Sequence, residues 1–231
     1  MCTPGCIDFA RAEFARAGIA GLDVLEVGSF DVNGSVRVRS AAKQHSPRRY
    51  VGVDIAPGPG VDVVCSAEDL VKTFGEASFD VVVTTEMLEH VPNWKSAIMQ
   101  MKQVLRPGGR LILTTRSRGF HLHGYPADYW RFSTEDMGEI FSDFDDLRVV
   151  SDQVTSPGVF VAGTKSPREA TALDPLAIYS IVARRRRRAA SRAEIAASKF
   201  MIAAKGRIPR FLIPVGKRAI RFAGSLGASR R

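Results

Sequence analysis

Four apolar runs in the chain end in residues that can hold a ligand. Val24–Val27 carries Glu26 and closes at Gly28, and Arg49–Val53 closes at Asp54. Val61–Cys65 leads into Ser66-Ala67-Glu68, and Phe79–Thr84 leads into Thr85-Glu86. A carboxylate at a strand tip can accept hydrogen bonds from both hydroxyls of a ribose, which suits Asp54. Gly28 and Gly34 admit backbone angles closed to side-chained residues, so a ligand can approach the main chain there. Together these features describe the seating of a nucleotide-type cofactor. A second concentration is the segment RSRGFHLHGYPADYWRFS, residues 116–133, which holds two of the four histidines and two of the four tyrosines. A histidine near its usual pKa can take a proton from a hydroxyl. His121 and His123 are the candidate catalytic bases, and His123 is preferred because Gly124 lets the loop turn inward. Tyr125, Asp128, Tyr129 and Arg131 are the candidate substrate contacts.

These residues need elements to position them. Strands are predicted over Val24–Val27, Arg49–Asp54, Val61–Cys65, Phe79–Thr84 and Leu111–Thr115. Between them lie helical segments, one opening near Arg37 and one placing Trp94, Ile98, Met101 and Leu105 on a single face. The strand runs are apolar on both faces, the pattern of a parallel sheet covered by helices on both sides. Asp146–Asp152 and Pro157–Thr164 read as an antiparallel hairpin. Ser133 followed by Asp136 reads as a helix cap that ends the histidine-bearing loop. A loop leaving a strand's carboxyl end in such a sheet lies over the ligand crevice. Duller roles exist for several residues: a helix cap for Glu26, a turn for Asp54, a packed lid for Tyr125, Tyr129 and Trp130.

The ordered motifs LEVG, YVGVD, SAEDL, FDVVVTTEMLEHV and VLRPGGRLILTT resemble those of the class I S-adenosylmethionine-dependent methyltransferases over roughly residues 20–164. The resemblance implies a Rossmann-like, mostly parallel seven-stranded sheet with a terminal antiparallel hairpin, and S-adenosylmethionine as cofactor. It assigns Glu26 and Gly28 to the methionine end, Asp54 to the ribose, Ser66, Ala67 and Glu68 to the adenine, and Thr85 and Glu86 to the methionine moiety. Gly34 lies further from Gly28 than the family's closely spaced glycines, and Ser66 stands where many relatives place an aspartate. The YPADYWRFS segment resembles a subset acting in surface-polysaccharide and glycan pathways. The implied reaction is O-methylation of a sugar or lipid-linked glycan hydroxyl at the cytoplasmic membrane face. RNA or a small metabolite is the alternative acceptor, and a non-catalytic cofactor-binding module is the alternative class. A nicotinamide-binding domain is disfavoured because the loop lacks G-x-G-x-x-G.

Charge divides the chain. Residues 165–231 hold 17 Lys+Arg against 3 Asp+Glu, leaving 16 against 21 in residues 1–164. That asymmetry suggests a catalytic domain over 1–165 and a basic, partly helical C-terminal extension over 166–231 that meets an anionic partner. Arginines interleaved with apolar side chains over residues 174–222 favour an anionic membrane surface, then nucleic acid, then packing on the chain's own domain. The three cysteines do not suggest a disulfide scaffold, and no secretory signal or eighteen-residue apolar run is evident, so a cytoplasmic setting is expected, possibly peripheral to the membrane. No cluster of histidine, cysteine or acid shows metal-ligand spacing along the chain, so no metal is expected.

Overall fold

The computed structural model describes residues 3–31, 37–124, 127–152 and 156–207, the side chains of 205–207 excepted. Elements are numbered in chain order. The first helix, α1 (Pro4–Ala17), is one the sequence reading did not assign. Its signals are local: Thr3 accepts the Cys6 N–H as N-cap, Pro4 opens the first turn, and Gly18 closes the helix in the left-handed region at φ 60°.

The main sheet contains β1 (Asp23–Val27), β2 (Arg49–Asp54), β3 (Val63–Val64), β4 (Phe79–Thr85), β5 (Leu105–Arg116), β7 (Phe144–Asp152) and β8 (Gly158–Lys165). Their order is β3-β2-β1-β4-β5-β8-β7. β1 to β5 pair in parallel, and β8 runs antiparallel to both β5 and β7. The expected seven strands and terminal hairpin are therefore present. β3 is shorter than expected. β5 begins earlier than expected, with Leu105 already pairing with Phe79 of β4, and Gly109 is packed close to β4, where a Cβ would stand 2.8 Å from the Asp80 carbonyl oxygen.

Alternate strand residues serve two cores. Leu25, Val27 and Val82 share a core with α3 (Leu70–Phe74), α4 (Trp94–Val104) and α5 (Thr134–Ile140) through Leu70, Trp94, Ile98, Met101, Met137 and Ile140. Val24, Val81 and Val83 face α1 and α2 (Arg37–Lys43) through Phe9, Phe14 and Val38. Each fully buried large apolar side chain contributes about 1.5–3 kcal/mol, so both faces drive folding. Ser133 and Asp136 form the anticipated capping box at the start of α5.

The described part of the C-terminal extension does not stand apart. β9 (Ile178–Ser180) and β10 (Arg185–Arg187) join β6 (Trp130–Arg131) in a three-stranded antiparallel sheet. Leu173 and Ile178 enter the first core. In the polybasic run, Arg186 reaches Asp136 at 2.5 Å. The last helix, α6 (Arg192–Arg207), is pinned by Ser198, whose Oγ accepts the Asp128 N–H at 2.9 Å and donates to the Asp128 carbonyl at 2.8 Å. Through these contacts the described part of residues 166–207 packs on residues 127–136 and the first core, the arrangement placed third from sequence. Residues 208–222 of the expected membrane element lie outside the described residues. Among the described residues no helix is long and apolar enough to cross a membrane.

Candidate active site

A cavity of about 720 Å³ lies at the carboxyl ends of β1 to β5, roofed by α1 and by the loop after β5. That volume is within the range of small-molecule sites. Glu26, Gly28, Asp54, Ser66, Ala67, Glu68, Thr85 and Glu86 all line it, as do His121 and His123. Gly34 and Tyr125 lie outside the described residues.

The β1 exit is shaped for close approach. Gly28 has φ 80°, and a Cβ there would stand 2.4 Å from Met87 Cγ, so only glycine fits. Glu26 is buried and accepts a hydrogen bond from the Tyr50 hydroxyl at 2.8 Å. Burial outweighs that bond and pushes the Glu26 carboxyl up to about 8. Asp54 accepts the Phe30 N–H on one oxygen and the Ala56 N–H on the other, at 3.2 and 3.3 Å. These contacts fix the carboxylate at the cavity wall. Ser66 Oγ accepts the Glu68 N–H at 3.1 Å, turning that segment along the rim.

At the β4 exit Glu86 takes φ 56°, a left-handed conformation that costs a side-chained residue about 1–3 kcal/mol. The surroundings hold it there: Cys6 Sγ and Thr114 Oγ1 donate to Glu86 Oε1 at 3.1 and 3.0 Å, and Arg116 forms a buried ion pair with Oε2. Burial, and then the nearby Glu89 carboxylate, raise the Glu86 pKa despite Arg116. Burial likewise pushes the Cys6 thiol up to about 12, so at neutral pH it is a hydrogen-bond donor.

The far wall carries the histidines. His123 Nδ1 faces Asp128 Oδ2 at 3.0 Å, and Asp128 is clamped by Arg131, Nη1 to Oδ1 at 2.5 Å and Nη2 to Oδ2 at 2.6 Å. Donation of Nδ1–H to the carboxylate leaves His123 Nε2 as the lone-pair nitrogen, buried and 3.7 Å from Glu89 Oε1. Burial opposes the charged imidazole, but Asp128 and Glu89 outweigh it and raise the His123 pKa. His90, from the 3₁₀ turn Leu88–His90, places Nδ1 2.5 Å from the Ala127 carbonyl oxygen, and its ring packs edge-on to His123 at 4.9 Å. His121 is exposed at the rim and stacks on Phe120.

Three expected substrate contacts are placed elsewhere. Asp128, Tyr129 and Arg131 are buried and do not line the cavity. Asp128 and Arg131 satisfy one another, while Tyr129 packs in the core and gives its N–H to the Glu89 carbonyl. They position the loop; burial keeps them from a substrate. Trp130 is also fully buried, with Nε1 donating to the Val91 carbonyl at 2.8 Å. Sequence reasoning missed Met87, Phe30, Phe120 and Arg116 in the cavity wall. Arg116 was the most legible of these, an arginine closing an apolar strand that must bury its charge beside a partner.

The architecture and the comparisons coincide. Residues 22–113 match the methyltransferase-domain family. That is the fold class the strand order describes. The matched stretch is about two fifths of the chain, and the fold is the one taken by class I methyltransferases whose cofactor is S-adenosylmethionine. Over 114 residues the chain is 32% identical to a ubiquinone biosynthesis O-methyltransferase of Idiomarina loihiensis, covering 44% of this chain and 45% of that protein. The Pseudomonas syringae pv. tomato enzyme of the same name is 33% identical over 117 residues, covering 45% and 48%. The chain thus spans about half the length of the curated relatives it matches. Among solved structures, the 1,6-didemethyltoxoflavin-N1-methyltransferase of Burkholderia thailandensis, with S-adenosylhomocysteine bound, shares the fold at TM-score 0.52, 17% identity and 70% and 78% coverage. A methyltransferase from Mesorhizobium loti does so at TM-score 0.51, 13% identity and 69% and 100% coverage.

The described residues of the methyltransferase domain fit the cofactor. A glycine cradle at Gly28, a buried carboxyl at Glu26 and an oriented carboxylate at Asp54 face one cavity of suitable size.

Proposed function

We propose that the chain catalyses S-adenosylmethionine-dependent O-methylation, with the acceptor hydroxyl entering along the wall formed by His90 and His123. One observation carries this reading. His123 lines the cofactor cavity with Nδ1 engaged by Asp128, so that Nε2 can take a proton from an incoming hydroxyl. When bound, the cofactor supplies an already activated methyl on a sulfonium sulfur. The chain's tasks are to align the acceptor oxygen, exclude water and remove the proton. Glu26 would face the cofactor's ammonium, Asp54 its ribose hydroxyls, and Ser66 to Glu68 its adenine. The relatives named as ubiquinone biosynthesis O-methyltransferases support an oxygen acceptor.

A sugar or lipid-linked glycan hydroxyl is the proposed acceptor class, on the strength of the YPADYWRFS segment. A partner role for an anionic membrane surface is supported by Arg184, Arg185 and Arg188, which are exposed on and around the β9–β10 hairpin. An assay with glycan hydroxyls against phenolic intermediates of ubiquinone biosynthesis distinguishes the acceptors. Methylation confined to the phenols removes the glycan proposal and leaves O-methylation standing.

Two expected results test cofactor placement. Asp54→Ala removes charge-assisted hydrogen bonds of about 1.5–3 kcal/mol each. Calorimetry should show S-adenosylmethionine affinity at least tenfold weaker in a folded variant; unchanged affinity takes Asp54 out of the site. Glu26, with its carboxyl pushed up to about 8, is protonated at pH 7 in the free protein. An ammonium placed beside it favours the carboxylate, so cofactor binding should release about one proton. Binding enthalpies in buffers of different ionisation enthalpy measure that release. A Glu26→Gln variant that releases just as much would exclude Glu26 as the ammonium's partner.

A further inference from the structure

Three side chains converge on one point beside the cofactor cavity. Glu89 Oε1 stands 3.8 Å from His90 Nε2 and 3.7 Å from His123 Nε2. One ligand atom from each of the three residues lies within 4.8 Å of the others. Glu89 is fully buried, and its Oε1, like His123 Nε2, has no hydrogen-bond partner among the described residues. Leaving a buried charged acceptor unsatisfied is costly, so a carboxylate oxygen directed at two imidazole nitrogens calls for something between them.

The surrounding contacts aim all three ligands. Thr115 Oγ1 donates to Glu89 Oε2 at 2.8 Å and turns Oε1 toward the histidines. His90 Nδ1 is held by the Ala127 carbonyl and His123 Nδ1 by the Asp128 carboxylate. Engagement of each Nδ1 as donor leaves each Nε2 as a free lone pair, the arrangement that outer partners impose on metal-binding histidines. Gly124 makes room: a Cβ there would stand 2.3 Å from His90 Cε1. Sequence spacing could not show the cluster, because Glu89 and His90 follow β4 whereas His123 comes from the loop after β5.

We propose that Glu89, His90 and His123 form a binding site for a divalent cation of the zinc class, with a further coordination position open to the cavity. Two imidazoles and a carboxylate are a ligand set for zinc and late first-row metals, and sites of this composition keep a position for water or substrate. Ligands around tetrahedral zinc stand about 3.3–3.5 Å apart, so the two carboxylate–imidazole edges, at 3.7 and 3.8 Å, close with shifts of a few tenths of an ångström, and the edge between the imidazoles, within 4.8 Å, closes as the histidine loop adjusts. The proposal rests on the O-methylation reading and deepens it. The acceptor oxygen would take the open position and lose its O–H proton to water; its own electron pair would then form the O–CH₃ bond as the S–CH₃ bond breaks, the sulfur leaving with that pair as S-adenosylhomocysteine. His123 then acts as a ligand, and the cation takes over the lowering of the hydroxyl pKa.

The test uses the full chain, stripped with a chelator and titrated calorimetrically with Zn²⁺, with Co²⁺ absorption as a second readout. About one ion per chain is expected, with affinity at least about 100-fold lower in each of His90→Ala, His123→Ala and Glu89→Gln. His121→Ala should bind as the wild type does. Glu89→Gln keeps the side chain's shape, and thermal melts identify any variant that fails to fold. Absence of stoichiometric binding in the wild type, or equal binding in all folded variants, overturns the site. Methylation of an acceptor oxygen that survives complete chelation overturns the cation's role while the O-methylation reading stands. A cation bound at these residues with methyl delivered only to nitrogen or carbon overturns the O-methylation reading instead.

Discussion

Replacing His123 with alanine is expected to lower turnover about 10²–10⁴-fold, a barrier increase of about 2.7–5.4 kcal/mol, while S-adenosylmethionine affinity stays nearly intact. The split follows from position. His123 lines the same cavity from the loop after β5 and is held by Asp128 rather than by any residue proposed to hold the cofactor. The loss is expected whether Nε2 accepts the acceptor's proton itself or ligates the cation that acidifies it. His121→Ala should retain most activity, because that ring is exposed at the rim and stacks on Phe120. Single-turnover kinetics together with calorimetry measure both halves. Full turnover in folded His123→Ala would leave alignment alone as the mechanism.

Asp128→Ala is expected to destabilise the fold by about 3 kcal/mol, the low end of the range for breaking a buried ion pair. Its partner Arg131 is 1% exposed and cannot recover solvation. The guanidinium keeps carbonyl acceptors at Phe120, His121 and Trp130, at 3.2, 2.9 and 2.6 Å, which holds the cost near that lower limit. The exposed pair Arg11–Asp8 makes the contrast, since Asp8→Ala should change stability by less than about 1 kcal/mol. Urea unfolding of the two variants measures the difference. Equal, small losses would mean that Asp128 is not the anchor of the loop.

Legibility in the sequence followed the range of the interactions. The strands of the sheet were readable because short continuous apolar runs are a local signal, and β1 and β4 are buried along most of their length. The Ser133–Asp136 cap was readable because its partners are three residues apart. The residues of β1 to β4 that line the cavity could be listed because they lie at or beside strand exits, positions that topology fixes without knowledge of side-chain contacts. What failed was non-local. Asp128, Tyr129 and Arg131 look like a polar, aromatic substrate loop, but β9 and β10 arrive from residues 178–187 and cover it. The arginine run that reads from sequence as part of a membrane-surface element supplies a strand of that cover. Glu89, His90 and His123 meet only because two neighbouring parallel strands discharge their loops side by side.

The measurement that tests the central claim most directly follows a labelled methyl group. Full-length protein is incubated with methyl-labelled S-adenosylmethionine and a panel of glycan and phenolic hydroxyl acceptors, and the methylated atom is identified by NMR. The expected result is label on an acceptor oxygen, at a rate cut about 10²–10⁴-fold by His123→Ala. Label on nitrogen or carbon, or tight cofactor binding with no transfer to any hydroxyl, would contradict the account.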